Sequence, residues 1–190
     1  MIQRINSLDQ KIVLSLNSFF AEHCPKIIDK IFAEYLIYLL PIILIVLWFY
    51  SEKTKKVAMR ATFSVILAWP VIAGIIGRLV NRPRPFNLSG VQELIFHRPD
   101  YSFPSDHAAA LFAVAFSFWF SGYKKLGWAI FAMAIVVSFF RVATAIHYPT
   151  DILGGLAVGL LAAYLINLFN KPLDTVYNFI LKICRAIKLA

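Results

Sequence analysis

Five long apolar runs dominate this chain, at about Glu34 to Tyr50, Val57 to Val80, Asp106 to Ser121, Leu126 to Arg141 and Thr150 to Phe169. A helix needs roughly 17 to 25 mainly apolar residues to cross a bilayer, and each run reaches that length or approaches it with its flanks. A backbone in lipid must satisfy its own hydrogen bonds, and none of the runs alternates as a barrel strand does, so all five are expected as helices. Pro41 and Pro70 fall inside two of them and are expected to kink them. The fold expected is all-α: a polytopic membrane helix bundle with five or six transmembrane helices, a single domain over residues 1–190. Composition agrees, since 60% of the residues are hydrophobic and only 15% charged, too few charges to cover a soluble globule. Mean hydropathy is +0.72.

The two ends differ from the spans. Ile5 to Phe20 places Ile5, Leu8, Ile12, Leu16, Phe19 and Phe20 at helical spacing among polar residues, which suits an amphipathic interfacial helix. A sixth span is the alternative, opposed by Asp9, Lys11 and Asn17. The tail from Pro172 to Ala190 repeats the theme with Lys182, Arg185 and Lys188. Met1 to Gln10 is mostly polar and has no apolar core of a cleavable signal. Cys24 and Cys184 make neither a disulfide framework nor a metal cluster.

The net charge of +9 comes from basic residues in short loops, not from a stripe on a soluble face, so nucleic acid is not an expected partner. Lys53, Lys55, Lys56 and Arg60 follow the first run, Lys124 and Lys125 the third, and Lys171 to Lys188 the fifth. The positive-inside rule puts these on the cytoplasmic side. The connections Asn81 to Pro104 and Val142 to Pro149 then face outward, although Arg4, Lys11, Lys26 and Lys30 run against the count. On this topology Cys24 and Cys184 lie on opposite sides.

Ionisable residues gather where the runs end, and at that depth they mark a functional site. Arg78, Arg82 and Arg84, with Pro83 and Pro85, close the second run. Guanidinium forks match phosphate oxygens; the plainer alternative is a set of arginines snorkelling at a helix end. Ser105 stands at an N-cap position before the third run, where free N–H groups and the helix dipole favour an anion. Asp106 and His107 follow in the first turn, and the plainer alternative is an ordinary cap. Asp151 lies four residues beyond His147, near enough to accept its ring N–H and leave the other ring nitrogen a nucleophile. The plainer alternative there is an ion pair at a helix start. All three pieces fall on one face, and their residue types are those that hold a phosphate and break its ester bond.

These pieces resemble the three signature motifs of the type-2 phosphatidic acid phosphatase superfamily, shared with bacterial acid phosphatases and vanadium haloperoxidases. The family pattern is Lys-x6-Arg-Pro, Pro-Ser-Gly-His and Ser-Arg-x5-His-x3-Asp. Arg84-Pro85, then Pro104-Ser105 and His107, then Arg141, His147 and Asp151 match it, within roughly Gly77 to Gly155. Gly77 stands where the family has lysine, Asp106 where it has glycine and Phe140 where it has serine. The missing lysine and the Pro-Ser-Asp-His variant, with Arg-Pro-Arg-Pro-Phe ahead of it, resemble the bacterial undecaprenyl-diphosphate phosphatase subgroup.

The resemblance implies that His147 attacks the terminal phosphorus and becomes a phosphohistidine, oriented by Asp151. His107 protonates the departing oxygen and then activates water. Arg84, Arg141, Ser105 and the backbone amides of Ser105, Asp106 and His107 hold the phosphate. Arg78, Arg82, Arg98 and His97 are candidates to contact a second phosphate, the arginines also offsetting the charge of Asp106. No metal and no cofactor is implied; a metal site at His107, His147 and Asp151 is the rival chemistry, disfavoured because flanking arginines repel a cation. The implied partners are a polyprenyl or other lipid phosphate and membrane lipid, with no protein partner. The implied setting is the cytoplasmic membrane with the site facing outside. Undecaprenyl diphosphate is the first substrate expected, regenerating the carrier lipid of cell-wall synthesis, ahead of phosphatidate or phosphatidylglycerophosphate. A transporter is the alternative class, and the short loops and lack of internal repeats speak against it.

Overall fold

The computed structural model describes residues 2–187, and every regular element among them is helical. Lys188 and the side chains of Arg4 and Ile5 lie outside the described residues. Helix α1 (Ile2–His23) leads into a first span, Lys26–Tyr50, assembled from α2 (Lys26–Lys30), a π-helical turn (Ile31–Tyr35), a 3-10 turn (Leu36–Tyr38) and α3 (Leu39–Tyr50). The second span, Glu52–Asn87, joins α4 (Glu52–Ile66), a π-helical stretch (Leu67–Ala73), α5 (Gly74–Val80) and a 3-10 turn (Pro85–Asn87). The kinks expected at Pro41 and Pro70 take this form. Proline has no N–H and crowds the carbonyl four residues back, so the helix changes type beside it: a 3-10 turn just before Pro41, a π-helical stretch around Pro70.

Three more helices cross or enter the bundle, α6 (Asp106–Phe120), α7 (Lys124–Ala143) and α8 (Pro149–Leu168), and α9 (Asn170–Ala186) follows. Among the described residues four helices are long and apolar enough to span a membrane, while α6 is apolar but only 15 residues long. Helix α6 is the axis of the bundle. Ala108 to Ala115 and Phe118 are buried, packed by α4, α7 and α8. Gly155 and Gly159 let α8 approach it closely: a Cβ at Gly155 would come within 2.6 Å of the Ser105 carbonyl oxygen, and one at Gly159 within 2.8 Å of that of Ala109. The small-residue pair therefore serves packing inside the bundle.

Helix α1 packs on α7 and α8. Its buried side is Asp9, Val13 and Asn17, one residue per helical turn. Asp9 and Asn17, which the sequence set against a lipid-crossing helix, thus face protein. The protein supplies their partners: Asn17 donates to the carbonyls of Gln92 (3.0 Å) and Ala143 (3.2 Å) and accepts from the Gln92 amide at 2.8 Å. Leu8 and Phe19 are exposed elsewhere on the helix.

The Lys53 ammonium lies over the Tyr123 ring at 6.0 Å, so the α3–α4 and α6–α7 turns share one end of the bundle. Helix α9 docks there, through Lys56–Asp174 (3.2 Å) and Arg185–Glu52 (2.6 Å) and with Tyr177 and Leu181 against Met59. Cys24 and Cys184 are both free. The opposite end gathers the end of α5, the start of α6, the end of α7 and the start of α8.

Candidate active site

His147 sits in the turn between α7 and α8. Ala145 adopts a left-handed backbone there, with φ 55°, at a cost of about 1–2 kcal/mol for a side chain bearing a Cβ. This folds the chain back, and the amides of Ile146 and His147 both donate to the Arg141 carbonyl, at 3.0 and 3.2 Å. Arg141 and His147 are thereby set side by side, with Nη2 of the arginine 3.4 Å from Nε2 of the imidazole. Arg84 enters from the loop after α5. Its Nη1 donates to the Ile146 carbonyl at 3.0 Å and lies 3.3 Å from the same Nε2, while its Nε donates to Asp100 at 2.6 Å. Both arginines and His147 are buried.

The other ring nitrogen of His147, Nδ1, lies 2.8 Å from the Ser102 carbonyl oxygen. A carbonyl only accepts, so Nδ1 carries the proton and Nε2 keeps its lone pair. This corrects the expected partner. Asp151 Oδ2 stands 3.6 Å from Nδ1 and instead accepts the Tyr148 amide at 2.8 Å, while Oδ1 accepts Arg82 Nη1 at 2.7 Å. Ser102 holds the nearer position because its own amide is pinned to the Arg82 carbonyl at 2.8 Å.

Ser105 is the N-cap of α6, as its position predicted, with its hydroxyl accepting the Ala108 amide at 3.4 Å. Its own amide donates to the Asp151 carbonyl at 3.0 Å, and the His107 amide donates to Asp106 Oδ1 at 2.8 Å. Two of the three amides expected to cradle an anion are therefore engaged within the protein, which leaves the arginines as the principal donors. Asp106 Oδ1 also lies 3.1 Å from His107 Nδ1 and 3.8 Å from His147 Nε2. A carboxylate offers no donor to a phosphate oxygen, and the Asp106 side chain is spent on the His107 amide and ring.

The four rim candidates separate. Arg82 does not line the cavity beside Arg84 and is spanned by carboxylates, at 2.7 Å from Asp9 Oδ2 and 2.7 Å from Asp151 Oδ1. His97 donates from Nδ1 to the Arg98 carbonyl (3.0 Å), so its Nε2 accepts Arg141 Nη2 at 3.1 Å. Burial, then the nearby Arg84 charge, lower the His97 pKa to about 4. A neutral acceptor on Arg141 is not a cationic contact for a second phosphate. Arg78 and Arg98, by contrast, line a cavity of about 320 Å³ together with Arg84, Tyr101 and Asp106.

The same cavity accounts for Gly77. A Cβ on Gly77 would overlap the Tyr101 ring, so the family lysine has no room here. One residue later, Arg78 faces the cavity. The π-helical stretch upstream shifts the register of α5 relative to a continuous α-helix, each added residue turning the following ones by about 100°.

On the other side of Asp106 and His107 runs an apolar groove of about 380 Å³ between the first two spans, lined by Leu40, Leu44, Val65, Ile66 and Trp69 among others. Asp106 and Trp69 border both spaces. Sequence reasoning missed Ser102, Asp100, Asp9 and Tyr101. The carbonyl of Ser102 leaves no signal in a side-chain pattern; Asp9 did leave one, as an acid at a turn interval from apolar Val13.

Helix ends gathered around an imidazole and two guanidinium groups, at one end of an apolar bundle, make a site suited to a phosphate anion. A family model for the PAP2 superfamily matches residues 57–173, and the chain belongs to that superfamily. It is 31% identical over 169 residues to undecaprenyl-diphosphatase BcrC of Bacillus subtilis, covering 87% of this chain and 86% of that one. It is also 35% identical over 133 residues to a Bacillus licheniformis protein called bacitracin transport permease protein BcrC, covering 69% of this chain and 64% of that one. The crystal structure of Aquifex aeolicus LpxE shares the fold, with a TM-score of 0.64 at 23% identity, over 82% of this chain and 92% of that one.

Proposed function

We propose that the protein hydrolyses a lipid pyrophosphate, undecaprenyl diphosphate first among them, to the lipid monophosphate and phosphate at the outer face of the cytoplasmic membrane. The observation that carries this reading is His147 Nε2, which keeps its lone pair and faces Arg84 and Arg141 at 3.3 and 3.4 Å. Nε2 forms a bond to the terminal phosphorus as the bridging P–O bond breaks. His107, protonated at both ring nitrogens with Nδ1–H held by Asp106, gives its Nε2 proton to the departing lipid phosphate. It then takes a proton from water, whose oxygen displaces Nε2 and releases phosphate. Arg84 and Arg141 meet the charge on the equatorial oxygens, and a donor so placed is worth about 10²- to 10³-fold in rate. The reaction so described needs no metal.

Two spaces support the substrate class. The cavity bearing Arg78 and Arg98 adjoins the reaction centre and suits a second phosphate, and the apolar groove that begins at His107 suits a hydrocarbon chain on the leaving side. The name of the Bacillus subtilis relative supports a prenyl diphosphate. The lysines at the end opposite the site support an outward-facing site, and the exposed Leu8 and Phe19 of α1 suit a helix lying at the interface.

A detergent assay of phosphate release from undecaprenyl diphosphate, farnesyl diphosphate, phosphatidate and phosphatidylglycerophosphate tests the reading, with and without EDTA. Undecaprenyl diphosphate is expected to have the highest kcat/KM, with EDTA without effect. Preference for a glycerolipid would replace the substrate with the broader alternative. Release from none of the four would favour transport, the class that the second relative's name invokes.

A further inference from the structure

Asp9 lies in α1, well before the stretch matched by the family model, and is only 2% exposed. Its Oδ2 accepts Arg82 Nη2 at 2.7 Å and the Thr150 hydroxyl, and its Oδ1 accepts the Thr150 amide at 3.3 Å. Arg82 Nη1 in turn donates to Asp151 Oδ1 and to the Thr150 hydroxyl oxygen, each at 2.7 Å. The guanidinium stacks 3.9 Å from the centroid of the Tyr148 ring. One cation is thus held between two carboxylates, and the second of them, Asp151, faces His147.

We propose that Asp9 and Arg82 are positioning residues for phosphoryl transfer: together they orient Asp151 and set the charge that His147 meets, which makes the N-terminal helix part of the active site. This rests on the phosphatase reading above. When Nε2 bonds to phosphorus the imidazole becomes positive, and the charge extends to Nδ1–H. Asp151 stabilises that charge only as far as its own is not cancelled. Arg82 paired with Asp151 alone would cancel it. Asp9 occupies the other half of the guanidinium fork, so the three groups together carry a net charge of about −1. Without Arg82 the two carboxylates would sum to about −2 and favour a protonated, non-nucleophilic His147. The other charged or titratable groups facing His147 are Arg84 from the loop after α5, Asp106 and His107 from α6 and Arg141 from α7. They are common to all the variants below.

The test is the pH–rate profile of kcat/KM for full-length protein in detergent, with undecaprenyl diphosphate. Asp9→Asn is expected to move the acid limb to lower pH by on the order of half a unit and to lower kcat about tenfold with KM little changed. Arg82→Gln is expected to move the limb to higher pH. The double variant, whose net charge near His147 matches the wild type, is expected to bring the limb back. A scaffold role alone predicts losses that add or compound, with unmoved limbs, and that result overturns the proposal. Should Asp9→Asn not fold, the shift of the limb in Arg82→Gln against the wild type carries the test. Wild-type protein that releases no phosphate would overturn the phosphatase reading; active wild-type protein with unmoved limbs overturns this inference alone.

Discussion

The carbonyl oxygen of Ser102 lies 2.8 Å from Nδ1 of His147, nearer than Asp151, whose Oδ2 is 3.6 Å from the same nitrogen. The tautomer of the imidazole is thus set by a backbone group, which cannot be lost by a side-chain substitution. Asp151 is left to act through its charge and through the Tyr148 amide that it holds at 2.8 Å.

His147→Ala should therefore abolish turnover, whereas Asp151→Asn should lower kcat by about 10²-fold in protein whose thermal midpoint is changed far less. Single-turnover trapping of phosphoenzyme checks both. Full activity in folded His147→Ala protein would remove it as the nucleophile.

Arg78→Ala or Arg98→Ala should raise KM for a diphosphate by about tenfold, the worth of one charge-assisted contact, and affect a lipid monophosphate much less. Arg84→Ala should damage both substrates. Steady-state kinetics on matched prenyl mono- and diphosphates decide this, and equal losses for Arg78→Ala on the two would assign it to the core site or the fold.

His97 supplies a pH dependence whose sign follows from its pKa of about 4, below the ordinary histidine value near 6.5. The folded state favours neutral His97, so this contribution to stability is complete above about pH 6.5 and is lost as pH falls toward 4. Protonation also ends the acceptance from Arg141. Thermal midpoints measured from pH 7 to pH 4 should fall, and His97→Gln, which keeps an acceptor but does not titrate, should flatten that fall. Parallel curves for the two proteins would count against it.

For topology, cysteine at position 89 should react with an impermeant thiol reagent on intact cells, and cysteine at position 124 should not, in a background with Cys24 and Cys184 replaced. The inverse pattern would place the site in the cytoplasm.

Much of the bundle was legible in the sequence. The apolar runs predicted the helices because a backbone without water must bond to itself, and the prolines marked where those helices change type. The spacing of Arg141, His147 and Asp151 predicted neighbours because residues around one turn stay close whatever surrounds them. That Arg82 would meet Asp9 was not legible. Arginine at a helix end looks the same whether it meets a phosphate or a carboxylate, and the difference here is a helix that packs beside it from the start of the chain.

By itself, then, the sequence determined the class of fold and marked three ionisable pieces at the ends of its apolar runs. Those follow from hydropathy and from local spacing. Tertiary structure alone decided that the Ser102 carbonyl, nearer than Asp151, accepts the hydrogen bond from His147 Nδ1, that Tyr101 fills the space over Gly77, and that Asp9 reaches Thr150 across 141 positions of chain. Hydrogen bonds and packing contacts form between whatever groups the folded backbone brings within about 3 to 4 Å, and no pattern along the chain encodes that distance.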